Sequence, residues 1–223
     1  MALSIGIIFD WDGVIIDSAS HHKASWENLA REENRVLPEG HFERGFGMKN
    51  DRILKEVLSW TSDPVEIHRL SERKEELYRE SLKEKGIDPL PGVTPFLQSL
   101  AQNQIPCAIA SSTHRANIDL ALGLLKLRDS FQDIVSAEDV KLGKPHPEVF
   151  LAAARKLNRK PSVCVVFEDA LVGIEAAHAA QMKVIGVATT HPASELTRAH
   201  RVVKRLDEIT IADLEKLLYR DAS

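Results

Sequence analysis

Residues 5–18 read I-G-I-I-F-D-W-D-G-V-I-I-D-S, and they constrain the rest of the chain more than any other stretch. The apolar run 5–9 has the length and β-branched content of a strand buried on both faces. Such a strand needs a sheet around it, and the run stops at two carboxylates, Asp10 and Asp12, followed by Gly13. Alternate side chains of an extended segment point the same way, so the two aspartates share one face while Trp11 faces another. In open α/β sheets, ligands sit beyond the carboxyl ends of the strands. Two close carboxylates repel unless a cation or a shared proton relieves them. The pair is therefore a candidate metal and acid/base centre. An Asx-turn closing a strand beside glycine is the plainer explanation, and it would suffice for a single aspartate.

The remaining pattern supplies the sheet. Expected helices cover 93–103, 116–125, 147–157, 171–180 and 211–219. Expected strands cover 105–110, 134–135, 163–167 and 184–187, with a short edge strand at 202–203. Strands alternating with helices predict a parallel sheet covered on both faces, an α/β Rossmann-like core. Residues 18–88 carry no strand signal. Ser18 is a candidate N-cap for a helix over 20–33. Pro38 and Gly40 break the pattern, 45–50 reads as a loop, and helices are expected over 51–60 and from Pro64 to about residue 85. The segment is best read as an all-helical insertion after the first strand. The expected organisation is a core of 1–17 and 89–223 and a helical cap domain of 18–88, hinged near 16–18 and 88–91. The charge-dense run 71–85 reads as a solvated helix face laced by i,i+4 pairs.

The 223 residues are 43% hydrophobic and 28% charged, an ordinary globular balance, with a formal net charge of −4. That charge gives no whole-molecule reason to bind nucleic acid or an anionic membrane, and neither partner is expected. No apolar run reaches the length of a membrane span, and Asp10 interrupts the N-terminal one, so neither a membrane anchor nor a signal peptide is expected. Cys107 and Cys164 lie in apolar strand-like stretches and read as reduced core residues of a cytoplasmic protein. The oligomeric state is open, a monomer being compatible with everything in the sequence.

Other strand ends carry chemistry too. The second expected strand runs into Ser111-Ser112-Thr113, a later loop holds Gly143-Lys144-Pro145, and the strand at 163–167 ends in Glu168-Asp169. Singly these read as a helix cap, a surface lysine and charges favoured at a helix N-terminus. In a parallel sheet they meet on one edge. Carboxylates, an ammonium and hydroxyls suit phosphoryl transfer: oxygen ligands for Mg²⁺, cations to offset phosphoryl charge, and a carboxylate able to attack phosphorus. A second carboxylate must then hold a proton for the leaving group, which requires a raised pKa.

These residues resemble the motifs of the haloacid-dehalogenase-like hydrolase superfamily, nearly end to end. D-x-D-G-V is Asp10-Trp11-Asp12-Gly13-Val14, the serine motif is Ser111, the lysine of G-K-P is Lys144, and the acidic motif is Glu168-Asp169. The resemblance implies Asp10 as nucleophile and metal ligand. It implies Asp12 as general acid/base with its carbonyl on Mg²⁺. Ser111 and Lys144 would hold the phosphoryl group, and Asp169, helped by Glu168, would complete the Mg²⁺ site. Asp12 argues against dehalogenation, where no leaving alcohol needs a proton.

The insertion resembles the cap of the β-phosphoglucomutase-like and sugar-phosphatase branch. His22 and Trp26 match H-x-x-x-W, and Lys74 matches a cap lysine reaching toward the core. Their plainer readings are a solvated histidine and a salt-bridged lysine. The branch contains mutases, which must grip two phosphates, and phosphatases. Asn50 stands where the mutase cap carries arginine, with Lys49 and Arg52 nearby. After the serine motif, His114 and Arg115 replace its lysine and asparagine, and Ser112 lies beside Ser111. The expected function is Mg²⁺-dependent hydrolysis of small phosphorylated metabolites, sugar phosphates first among them. A β-phosphoglucomutase is the first alternative. A catalytically idle member that binds a phosphorylated ligand or a protein is the second.

Overall fold

The computed structural model describes residues 5–219. The outermost parts of the expected core segments, 1–4 and 220–223, lie outside them. Strand β1 (Gly6–Phe9) is followed by helices α1 (Ala19–Glu32), α2 (His41–Gly45), α3 (Asn50–Arg52) and α4 (Pro64–Lys85). Then come α5 (Val93–Gln102), β2 (Cys107–Ala110), α6 (Arg115–Leu125), β3 (Asp133–Val135), α7 (Glu148–Lys156), β4 (Cys164–Glu168), α8 (Leu171–Ala179), β5 (Lys183–Val187), β6 (Arg201–Val203) and α9 (Ile211–Tyr219). The six strands form one sheet in the order β3-β2-β1-β4-β5-β6, every neighbour parallel. This is the doubly wound, Rossmann-like order, with its switch between β1 and β4.

Alternate strand residues feed two apolar clusters, one on each face. Ile7 and Phe9 of β1, Cys107 and Ile109 of β2, and Val165 and Phe167 of β4 pack with α5 and α6. Ile8, Ala108, Ala110, Cys164 and Val166 pack with α7 and α8. Period-2 alternation between two buried faces explains why these runs read as unbroken apolar stretches in sequence. Phe9 ties the first cluster together, stacked on Phe167 at 5.2 Å and edge-on to Phe96 at 6.1 Å. Both cysteines are buried and free, and burial pushes their thiols up, to about 12 for Cys107 and about 11 for Cys164.

Helices α1 and α4 and the turn over residues 53–58 share an apolar cluster of their own, built on Trp26, Leu29, Ile53, Leu54, Leu58, Ile67, Leu70 and Leu77. Further along α4, Tyr78 and Leu82 join the cluster under the sheet instead. The chain leaves and re-enters the sheet side by side: Ile16 bridges Pro89 antiparallel, and Leu90 N donates to Ile15 O at 2.9 Å. Among the described residues no helix is long and apolar enough to cross a membrane.

Local differences from the sequence reading have identifiable causes. A short α2 occupies 41–45 after Gly40, whose φ of 65° suits glycine. The helix expected over 51–60 is one turn of α3 continuing into a wider π-type turn over Ile53–Val57, closed by Leu58 N donating to Ile53 O. It keeps Ile53, Leu54 and Leu58 together in one cluster. Ser18 precedes α1 but does not cap it; its hydroxyl donates to Asp12 Oδ1 at 2.5 Å.

Candidate active site

Parallel strands bring the carboxyl ends of β1, β2 and β4 to one edge, and the side chains there are buried. Lys144, 1% exposed, reaches Asp10 Oδ1 at 2.8 Å and Glu168 Oε1 at 2.5 Å. The second Glu168 oxygen accepts from Ala170 N at 2.7 Å. The Glu168 carboxylate lies against Gly173 of α8, where any Cβ would overlap it. Asp10, Glu168 and Asp169 each offer a carboxylate oxygen, all within 4.8 Å of one another. Thr190 donates to Asp169 Oδ2, whereas Oδ1 is buried without a partner among the described residues.

Burial raises the pKa of Asp10 to about 7, with Glu168 and Asp12 adding to the shift against the opposing Lys144. Burial, Glu168 and Asp10 push Asp169 well above the ordinary carboxylate range. These carboxylates lack the positive charge that would leave them all ionised. An orphaned buried oxygen among three clustered carboxylates is the donor set of a hard cation, and these residues fit a metal ion.

Asp12 behaves in the opposite sense. Burial would raise it, but the His22 ring beside it and hydrogen bonds from His22, Ser18 and Thr113 bring it to about 2. Thr113 Oγ1 donates at 2.6 Å, and His22 Nε2 lies 3.2 Å away. The raised pKa that the sequence reading assigned to Asp12 is thus absent in this arrangement, because three donors converge on its carboxylate.

Above the carboxylates lies a pocket lined by Asp10, Asp12, Ser111, Ser112 and Thr113 from the sheet edge, and by His22, Trp26, Asn50, Lys74 and Glu75 from the helical segment. His41, Phe42, Phe46, Met48 and Ile53 give it an apolar and aromatic wall. The structure therefore gathers Asp10, Asp12, Ser111, Ser112, His22, Trp26, Asn50 and Lys74, with Lys144 paired to Asp10 and with Glu168 and Asp169 clustered beside it. Lys49, Arg52, His114 and Arg115 are absent from that lining. Lys49 Nζ donates to Val140 O at 2.9 Å, and Arg52 donates to Glu56 and to Lys144 O. His114 lies 3.6 Å from Glu72, and Arg115 donates to Asp119 at 2.9 Å.

Sequence reasoning passed over Ser18 and Thr113 as Asp12 donors, the wall of Phe42 and Phe46, and Glu75. Thr113 had a signal, its place two residues beyond Ser111 at a strand end; Glu75 had none inside a charged run.

A family model described as haloacid dehalogenase-like hydrolase matches residues 7–187. The chain is 41% identical over 220 residues to a chloroplastic 5-amino-6-(5-phospho-D-ribitylamino)uracil phosphatase of Arabidopsis thaliana, covering 97% of this chain but 58% of that protein. It is 31% identical over 191 residues to a fructose-1-phosphate phosphatase of Escherichia coli, covering 82% of this chain and 95% of that one. Its fold superposes on a crystal structure of β-phosphoglucomutase from Clostridium difficile with a TM-score of 0.86, 29% identity and 97% of each chain covered. Matched in sequence over most of its length and in fold over nearly all of it, the chain belongs to the haloacid dehalogenase-like hydrolases, in their β-phosphoglucomutase-like branch.

Proposed function

We propose that this protein is a Mg²⁺-dependent phosphatase of small phosphorylated metabolites, chiefly phosphorylated sugars and sugar alcohols. Residues 18–88 act as a cap over the leaving group. The observation that carries the reading is the charge of the pocket. Among the described residues lining it, Lys74 is the one lysine or arginine, and its ammonium is paired with Glu75 at 2.9 Å. A mutase must hold a second phosphate there. The candidates for that task, Lys49, Arg52, His114 and Arg115, are engaged elsewhere. A hydrolase needs no second anion site.

Asp10 attacks phosphorus, the bond to the leaving oxygen breaks, and that oxygen takes a proton from Asp12. Water then attacks the aspartyl phosphate and gives its proton to Asp12, releasing inorganic phosphate and restoring Asp10. Lys144 and Ser111 hold the phosphoryl oxygens, and Glu168 holds Lys144. Mg²⁺, held by Asp10, the Asp12 carbonyl and Asp169 with Glu168 at hand, would offset the phosphoryl charge. As an anion, Asp12 suits the second half of the cycle. Its proton for the first half is passed along the hydrogen bond from His22 Nε2, with the Lys74 ammonium resupplying Nδ1, which couples acid/base state to cap position.

The Arabidopsis relative is named for a substrate in which a phosphorylated ribityl chain carries a uracil ring. The wall of Trp26, Phe42 and Phe46 suits a planar group on the leaving portion. The test is phosphate release from p-nitrophenyl phosphate and from a panel of sugar, sugar-alcohol and ring-bearing ribityl phosphates, with and without Mg²⁺. Release that needs Mg²⁺ and is lost in Asp10→Asn is expected. Glucose 6-phosphate formed from glucose 1-phosphate without free phosphate would identify a mutase, and inactivity on every ester an idle member of the fold.

A further inference from the structure

Glu75 is 2% exposed, lines the pocket, and has no part in the chemistry assigned above. Its Oε1 accepts from Lys74 Nζ at 2.9 Å and from Asn50 Nδ2 at 2.6 Å. Its Oε2 accepts from Asn117 Nδ2 of α6, and Asn117 Oδ1 in turn accepts from Arg79 at 2.9 Å. The carboxylate thus ties α4 to the sheet side of the molecule. An amide at position 75 facing a carboxylate at position 117 would make such a tie equally well, so the tie alone does not account for a carboxylate on the pocket side.

The pocket offers a second acceptor. His41 Nδ1 lies 3.0 Å from Pro38 O, so that nitrogen carries the hydrogen. Its Nε2, an acceptor in the neutral ring, is buried and has no partner among the described residues. These two acceptors welcome hydroxyl and N–H groups and oppose a phosphate, which presents only further acceptors and negative charge.

We propose that Glu75 is the specificity-determining residue of this pocket: it accepts hydrogen bonds from a donor-bearing leaving group and excludes substrates with a second phosphate. The proposal rests on the phosphatase reading for its biological sense but is testable without turnover. Glu75 neutralises the Lys74 ammonium at 2.9 Å, so this part of the pocket offers a dianion no net positive charge, and a carboxylate with three accepted bonds keeps a lone-pair direction for the substrate.

The experiment is calorimetric titration, with Mg²⁺ present, of glucose 6-phosphate and glucose 1,6-bisphosphate into three proteins that cannot turn over. These are Asp10→Asn alone, with Glu75→Gln, and with Glu75→Gln plus Asn117→Asp. The last combination keeps a hydrogen bond between positions 75 and 117 while moving the charge away from the pocket lining, and so separates charge from tie. Affinity for the bisphosphate relative to the monophosphate is expected to rise at least about tenfold in both Glu75 variants. A ratio unchanged within about twofold in both, or a bisphosphate that neither variant binds, overturns the proposal. Phosphate release by the unmodified chain is measured alongside. Its absence together with a shifted ratio would sink the hydrolase and leave the role of Glu75 standing.

Discussion

The Lys74 ammonium lies 2.8 Å from His22 Nδ1. An ammonium only donates, so Nδ1 accepts and the ring hydrogen stands on Nε2. That nitrogen faces Asp12 Oδ1 at 3.2 Å and donates to it. Both His22 and Lys74 belong to the helical segment and Asp12 to the sheet edge, so the bond that fixes the charge of Asp12 crosses between them. The His22 ring is further held by stacking on Tyr78, centroids 4.2 Å apart.

This relay predicts a leaving-group effect. His22→Ala should lower kcat for alkyl phosphates by about a hundredfold, the scale of a displaced acid/base group. It should do far less to p-nitrophenyl phosphate, whose phenolate departs without a proton. Lys74→Met should show the same pattern more weakly, since it loosens the tautomer and leaves the ring in place. Equal losses on both esters would assign His22 to binding instead.

The carboxylate cluster predicts a metal effect on stability as well as on rate. Mg²⁺ should raise the melting temperature, by the equivalent of about 2.7 kcal/mol at a hundredfold excess over its dissociation constant. Asp169→Asn should abolish that increment. Because it also removes one of three crowded buried carboxylates, the metal-free variant should be no less stable than the metal-free parent. Scanning calorimetry of both proteins, with EDTA and with Mg²⁺, reads all four states.

How much of this was legible beforehand depends on how local each signal is. Asp10, Asp12, Ser111 and Asp169 follow directly on strands, or nearly so, and a parallel sheet forces such ends together whatever the side chains do elsewhere. Trp11, expected to face away from the aspartates, is fully buried in the cluster under the sheet. Long side chains on loops are another matter. Lys49 and Arg52 have reach enough for several partners, and backbone carbonyls of the 140–144 loop won. Glu75 and the equally buried Lys74 interrupt a run whose remaining charges are exposed or half-buried, with Arg73 spread over Glu32, Glu76 and Glu80. Exposed pairs of that kind add about 0–1 kcal/mol each. Only the placement of α4 against α6 distinguishes Glu75 from its neighbours, and no sequence period encodes it.

Glu75 also predicts a pH dependence. Burial would raise its carboxyl, but Lys74 on α4, His22 on α1 and His114 ahead of α6 bring it from about 4.5 to about 2, with the Lys74 hydrogen bond adding to their effect. A depressed folded-state pKa contributes stability that is complete above about pH 4.5 and lost as pH falls toward about 2. Unfolding should therefore take up about one proton more in the parent than in Glu75→Gln across that window. Urea unfolding at a series of pH values measures the two slopes, and parallel slopes would mean that the carboxylate is not held ionised in the fold.

Gly173 provides a test in which the expected sign runs against helix propensity. It lies within α8, where replacing glycine by alanine ordinarily stabilises by about 1 kcal/mol. Here an added Cβ would fall on the Glu168 carboxylate, which is pinned by Lys144 and by Ala170 N and cannot swing aside without breaking one of them. Gly173→Ala should therefore destabilise, by about 1–3 kcal/mol, the usual cost of overpacking. It should also reduce phosphate release, because displacing Glu168 frees Lys144 from its place beside Asp10. Gly123 on α6, where a Cβ would meet nothing within 4 Å, is the control and should gain stability on the same substitution. If denaturant melts show both alanine variants gaining alike, Glu168 has room to move and does not hold the lysine in position.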